Sequence, residues 1–155
     1  MIIREAQPSD INQVLSLFTY WVAEGITYGQ TSPTHGDLSH SLGSYFLVAD
    51  DEERIIGFTI GSAHLSDGTA VIPEGKPYLE VDELYVMESM RSHGIGQLLL
   101  DELLVRAEAN GMSYQLIYSA TKDIRRIIHF YEQCGFASWY IQMYRHIPAT
   151  ATMAE

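Results

Sequence analysis

The sequence predicts a single α+β domain, and three observations carry that expectation. Short strand-like runs alternate with segments whose apolar residues recur at helical spacing, no linker-like stretch divides the 155 residues, and no segment repeats. With 46% hydrophobic and 19% charged residues, the chain has material for one sizeable core.

The elements follow in order. Ile2 to Ala6 reads as a short strand. Pro8-Ser9-Asp10 then signals a helix start ahead of Ile11, Val14, Leu15 and Phe18, and Gly25 ends that helix. Gly25 to Gly43, rich in Gly, Ser, Thr and His, reads mostly as loop with a short helix near Asp37 to Leu42. Ser44 to Ala49 and Arg54 to His64 are apolar strands joined by the acidic turn Asp50-Asp51-Glu52-Glu53, a hairpin pattern. The loop Leu65 to Pro77 leads to a strand at Tyr78 to Val86. A helix follows with Leu100, Leu103, Leu104 and Ala107 on one face and Asn110-Gly111 as its stop. Ser113 to Ser119 is another strand, and Asp123 caps a helix from Ile124 to Gln133. Phe136 to His146 reads as a closing aromatic strand, and the residues after Pro148 as a frayed tail.

Composition narrows the function. No apolar run approaches the ~18 residues of a membrane span, and the N-terminus lacks signal-peptide character, so a cytoplasmic protein is expected. The single Cys134 excludes an internal disulfide and a cysteine-based zinc site. None of the six histidines (His35, His40, His64, His93, His129, His146) stands at metal-ligand spacing, so no metal is expected. A net charge of -11 disfavours nucleic acid and favours a cationic ligand. The charge is uneven: residues 1–80 hold 11 acids and 3 bases, residues 81–155 hold 9 acids and 6 bases. Arg91, Lys122, Arg125 and Arg126 therefore suit an anionic cofactor, and the acidic half suits a positively charged co-substrate.

The most specific local feature is Arg91-Ser92-His93-Gly94-Ile95-Gly96, an R-x-x-G-x-G loop leading into a helix. Amides of a first helical turn have no internal partner, and the peptide dipoles add partial positive charge there. Gly94 and Gly96 allow close approach of the backbone, and Arg91 adds a fixed charge, so a phosphate or pyrophosphate suits the loop. No G-K-[ST] follows, which excludes a P-loop, and Leu99 stands where a dinucleotide fingerprint needs its third glycine.

Together, the strand Val81-Asp82-Glu83-Leu84-Tyr85-Val86, the R-x-x-G-x-G loop and the later His129-Phe130-Tyr131-Glu132-Gln133-Cys134-Gly135-Phe136 resemble the GCN5-related N-acetyltransferase (GNAT) family over nearly the whole chain. The resemblance implies a mixed, mostly antiparallel central sheet flanked by helices on both faces. It implies acetyl-CoA as co-substrate, with its pyrophosphate on the amides of Arg91, Ser92, His93, Gly94, Ile95, Gly96 and Gln97 and its pantetheine arm paired with the backbone of Leu84, Tyr85 and Val86. Ile124 stands where family members often carry an asparagine, and Thr121 or Asp123 is the substitute near the cofactor.

Acetyl transfer to an amine needs a proton acceptor, because an alkyl amine with pKa near ~10 is protonated at neutral pH. Strict alternation puts Glu80, Asp82 and Leu84 on one side of the strand and Val81, Glu83 and Tyr85 on the other, subject to any bulge. Matched to the family, Asp82 occupies the base position of aminoglycoside 6'-N-acetyltransferases and Glu80 that of histone acetyltransferases; Asp82 is preferred, with Glu80 acting directly or through water. Tyr131 matches the family's usual acid, which protonates the departing thiolate. An amide near Val86 would hold the oxyanion. Trp21, Tyr28 and Tyr78, beside the two variable loops, are candidates for an acceptor pocket. The expected activity is N-acetylation of a small cationic amine by direct attack in a ternary complex. The alternatives are an acyl-CoA sensor without turnover and a protein N-terminal or lysine acetyltransferase. The aromatic run Trp139 to Tyr144 makes a homodimer plausible.

Overall fold

The computed structural model describes residues 1–146. One five-stranded sheet runs in the order β1 (Ile2–Glu5), β2 (Phe46–Asp51), β3 (Arg54–Leu65), β4 (Pro77–Val86) and β5 (Tyr114–Ile117). The first four strands pair antiparallel and β5 lies parallel to β4, so the sheet is mixed. Helices α1 (Ile11–Glu24) and α2 (His35–Ser41) pack on one face, and α3 (Ile95–Ala109) and α4 (Ile124–Gln133) on the other.

β2 shows how the sequence builds two cores from one sheet. It is an unbroken apolar run whose alternate residues face opposite sides, as a strand covered on both faces requires. Phe46 and Val48 join Ile11, Val14, Leu17 and Phe18 of α1, while Leu47 and Ala49 join Ile95, Leu99, Leu100 and Leu103 of α3. Phe18 and Phe58 fix α1 against β3 at 4.7 Å between ring centroids.

The helix ends follow their local chemistry. Gly25 terminates α1 in the left-handed region at φ 61°. Thr34 and Asp37 cap α2 reciprocally, with the Asp37 amide on Thr34 Oγ1 at 3.2 Å and the Thr34 amide on Asp37 Oδ2 at 2.8 Å. Asp123 accepts from the Arg126 amide at 3.2 Å and starts α4 where the sequence expects it. The short helix of the 25–43 segment begins at His35, two residues earlier than expected, because the capping pair sits at Thr34.

One expected element is absent. The described part of the closing strand, Phe136 to His146, is not a strand, and Trp139, Tyr140, Ile141, Met143 and Tyr144 are exposed. Strand propensity expresses itself only against a pairing edge and a face to cover. Beyond Gly135, at φ 88°, this segment pairs with no strand, and Tyr144 instead meets the Tyr28 ring edge-on at 6.1 Å. The homodimer expectation rested on this run as a strand. The tail after Pro148 lies outside the described residues.

Candidate active site

β4 changes character halfway along its length. Tyr78 to Val81 pair with β3 on one edge and with β5 on the other, and beyond Val81 the β5 pairing stops. At the same point the β3 register shifts: Ile60 faces Glu83 and Gly61 faces Val81, so Asp82 is an extra, bulged residue. The bulge reverses the alternation. Leu79 and Val81 face α3 below it, whereas Leu84 and Val86 face α3 above it and Tyr85 turns to the α1 side.

Backbone accounting identifies the open edge. The Met87 amide donates to Ile56 O at 2.9 Å, so by antiparallel alternation the groups of Tyr85 and Glu83 also point to β3. Those of Leu84 and Val86 point the other way, into a cavity of about 910 Å³ between β4, β5, α3 and α4. This corrects the expectation for Tyr85. Its main chain pairs with β3, and its side chain, 4% exposed, is core.

The loop from Arg91 to Gly96 lines one end of that cavity. Ser92 and Gly94 are left-handed at φ 66° and 77°, and α3 begins with no side-chain cap and no acid in its first turn. The first intrahelical bond runs from the Leu98 amide to Gly94 O at 3.0 Å, leaving the Ile95, Gly96 and Gln97 amides without a helical acceptor. Such a run of outward N–H groups fits an anion. A methyl group at Gly96 would meet the Phe130 ring at 3.6 Å, an ordinary contact, so the protein's own packing does not require that glycine. Lys122 and Arg126 line the same cavity. His93 turns back on its own loop, with Nδ1 2.8 Å from Arg91 O.

Arg91 is engaged away from the loop it was expected to serve. Its Nη1 lies 2.7 Å from Glu24 Oε2, its Nη2 donates to Glu24 Oε1 at 2.8 Å, and its Nε donates to Val86 O at 2.9 Å. Tyr85 also donates to Glu24 Oε1, and burial followed by the Glu24 carboxylate holds its phenol above the usual range. Trp21 stacks on Tyr85 at 5.0 Å and donates to Thr27 Oγ1 at 2.9 Å.

A second cavity of about 500 Å³ opens on the α1 and α2 side, and the two share Thr31, Asp82 and Glu83. Its floor is Phe18, Leu38 and Ile60, and its rim carries Asp37, His40, Ser41 and Ser62. Ser62 donates a short hydrogen bond to Asp82. Burial, with Asp82 adding, raises the Glu83 carboxyl to about 7. The two acids thus differ: Asp82 is held by a hydroxyl at the bulge, and Glu83 is desolvated above it. Glu80, opposite Ser62 and below the bulge, lines neither cavity.

Tyr131 lines the larger cavity from α4, and burial, with a smaller push from Cys134, raises its phenol to about 12. Trp21 and Tyr28 line that cavity too, Tyr28 with Lys122 Nζ at 5.5 Å from its ring centroid. The amides of Tyr28 and Lys122 donate to Ala120 O and Ile26 O at 2.9 and 2.8 Å, tying the loop after α1 to the loop before α4. Tyr78 is a correction. It lines neither cavity and instead stacks on His64 at 5.3 Å, at the far end of β4. The described residues hold no group of three His, Cys, Asp or Glu side chains placed for a metal ion. No helix there is long and apolar enough to cross a membrane.

Sequence reasoning overlooked Glu24, Ser62 and the α2 rim. Glu24 had one signal, an acid in the last turn of a helix, where the dipole disfavours it unless a cation answers from elsewhere. Ser62 had none.

No curated protein sequence matches the chain. Solved structures resemble it in fold. A tetramutant of the BH1408 protein from Bacillus halodurans is 19% identical with a TM-score of 0.78, covering 95% of this chain and 100% of its own. The ribosomal-protein-alanine N-acetyltransferase of Brucella melitensis biovar Abortus 2308 is 22% identical at TM-score 0.68, covering 94% and 100%. The aminoglycoside antibiotic 6'-N-acetyltransferase AAC(6')-IG of Acinetobacter haemolyticus is 19% identical at TM-score 0.70, covering 96% and 99%. The model of the acetyltransferase (GNAT) domain matches residues 42–138, from the end of α2 to just past α4, and with the open strand, the uncapped α3 and the fold in hand, the chain belongs to the GNAT acetyltransferase family.

Proposed function

We propose that the protein transfers the acetyl group of acetyl-CoA to a primary amine of a small cationic acceptor, by direct attack in a ternary complex. The observation that carries this reading is the meeting of two unlike cavities at Asp82 and Glu83. The larger suits the cofactor: free amides at the start of α3 for the pyrophosphate, Lys122 and Arg126 at its wall, and the Leu84 and Val86 edge for a pantetheine arm added like a strand. The smaller has an apolar floor under a rim bearing carboxylates, which suits an ammonium with a carbon body.

Glu83 is the preferred proton acceptor in this reading, in place of Asp82. A general base works best with a pKa near the working pH, and its carboxyl sits at about 7. Ser62 donates to Asp82 and fixes its carboxyl at the bulge, so Asp82 orients the ammonium beside Glu83. The Val86 amide is the candidate oxyanion donor. Tyr131, still protonated at neutral pH, supplies the proton for the departing thiolate. Cys134 does not serve as a nucleophile, because burial raises its thiol and Asp101 adds to the effect.

Two acceptor types appear among the structural neighbours by name, an aminoglycoside antibiotic and a ribosomal-protein alanine. The 500 Å³ cavity, open to solvent but small, favours a small molecule here. The test is coenzyme A release from acetyl-CoA across monoamines, diamines, aminoglycosides and N-terminal peptides. Turnover is expected on polyvalent amines before peptides. Tight acetyl-CoA binding with no turnover on any amine would turn the reading into an acyl-CoA sensor.

A further inference from the structure

We propose that Glu24, at the end of α1, is a positioning residue for cofactor binding: it holds Arg91 as a brace behind the phosphate loop, so that main-chain amides and not the guanidinium meet the pyrophosphate. The proposal rests on the acetyl-CoA reading above.

The geometry accounts for each side of the guanidinium. Nη1 and Nη2 lie 2.7 and 2.8 Å from the two Glu24 oxygens, a fork on a carboxylate, and Nε takes Val86 O at 2.9 Å. The group lies over the Tyr85 ring at 5.3 Å, and the Tyr85 hydroxyl returns to Glu24. Both charged side chains are withdrawn from water, Glu24 at 14% and Arg91 at 27% exposure.

Three consequences follow. Swinging Arg91 onto a phosphate would strand a desolvated carboxylate at a helix C-terminus, against the dipole, so the brace is the lower-energy state. The Nε bond satisfies the Val86 carbonyl at the end of the open edge, which leaves the Val86 amide and the Leu84 groups for a ligand. Finally, the end of α1 is tied across 67 residues to the end of β4 and the loop that follows it, so these pieces are held at one spacing. Trp21 extends the linkage to Thr27 through its stack on Tyr85.

The experiment compares dissociation constants of coenzyme A and of pantetheine, which has no phosphate, on wild type, Glu24→Gln, Arg91→Lys and Tyr85→Phe. Arg91→Lys keeps the charge and loses the fork. Coenzyme A should weaken about 10-fold in the first two variants and about 3-fold in Tyr85→Phe, with pantetheine unchanged. KM for acetyl-CoA should rise while kcat holds, and the Glu24→Gln/Arg91→Lys double variant should bind no worse than either single one. Tighter coenzyme A binding by Glu24→Gln, with steeper salt dependence, would overturn the proposal by making Arg91 a phosphate ligand. An equal loss on both probes would overturn it as well, since general loosening does not discriminate between them. Wild type that binds no coenzyme A removes the acetyl-CoA reading itself, and this inference with it. If Glu24→Gln does not fold, Tyr85→Phe and Arg91→Lys carry the same comparison.

Discussion

The two halves of β4 are made of similar residues and do different work. From Tyr78 to Val81 the strand has neighbours on both edges, and Leu79 and Val81 are 0% and 2% exposed. From Asp82 to Val86 it has one neighbour, its free edge lines a cavity, and two adjacent acids occupy the transition. An unpaired edge inside a domain leaves backbone donors and acceptors without partners, which folding ordinarily avoids. This open edge over a few residues, ending where Arg91 holds the Val86 carbonyl, is what the proposed pantetheine arm would complete. The lower half builds the site's support, and the upper half its chemistry.

The comparison can be broken by substitutions on either side of the bulge. The largest effect is expected for Glu83→Gln, a loss of about 10³-fold in kcat/KM with acetyl-CoA affinity retained, measured by coenzyme A release. Asp82→Asn should cost about 10-fold; the reverse order of the two would return the base to Asp82. Glu83 also predicts a sign. Its folded carboxyl is raised from 4.5 to about 7, so the folded state holds the proton more tightly than the unfolded chain. Stability therefore falls as pH rises through that window, while activity rises through it, and Glu83→Gln should flatten both profiles.

Next in size is Leu79→Ala, in the lower half, which should destabilise the fold by about 3 kcal/mol in urea unfolding without changing coenzyme A affinity. An affinity loss there would mean that the two halves are not separable. Tyr131→Phe should reduce kcat by about 30-fold, near 2 kcal/mol of barrier, with KM for acetyl-CoA unchanged. The smallest effect belongs to Gly94→Ala, where a side chain at φ 77° costs about 1 kcal/mol. Thermal unfolding would show that cost, and a modest loss of coenzyme A affinity should accompany it.

Much of the frame was legible in the sequence because its signals are local. Asp123 and Gln133 bound α4 where capping chemistry puts them, and the apolar period of Ile11, Val14 and Phe18 faces the core. The loop at Arg91 to Gly96 stood out by its glycines and its place before a helix, and most of its residues line the larger cavity. What escaped was decided by partners distant in sequence. Arg91 was assigned to the loop because Glu24, 67 residues away, is invisible to local spacing. The Phe136 to His146 pattern signals readiness to pair and cannot report that no edge receives it. The α2 rim of the second cavity lay in a segment read mostly as loop, and Tyr78 was named for its place beside a loop that reaches neither cavity.

The bulge at Asp82 also bears on how relatives of this protein should be compared. A strand that slips by one residue carries two reading frames, and position numbers on either side of the slip do not count the same faces. Deleting Asp82 alone would restore strict alternation throughout β4, with Glu80 and Glu83 on the α1 side as before but two places apart instead of three. Alignments of such strands are better anchored on the bulge than on the nearest shared carboxylate.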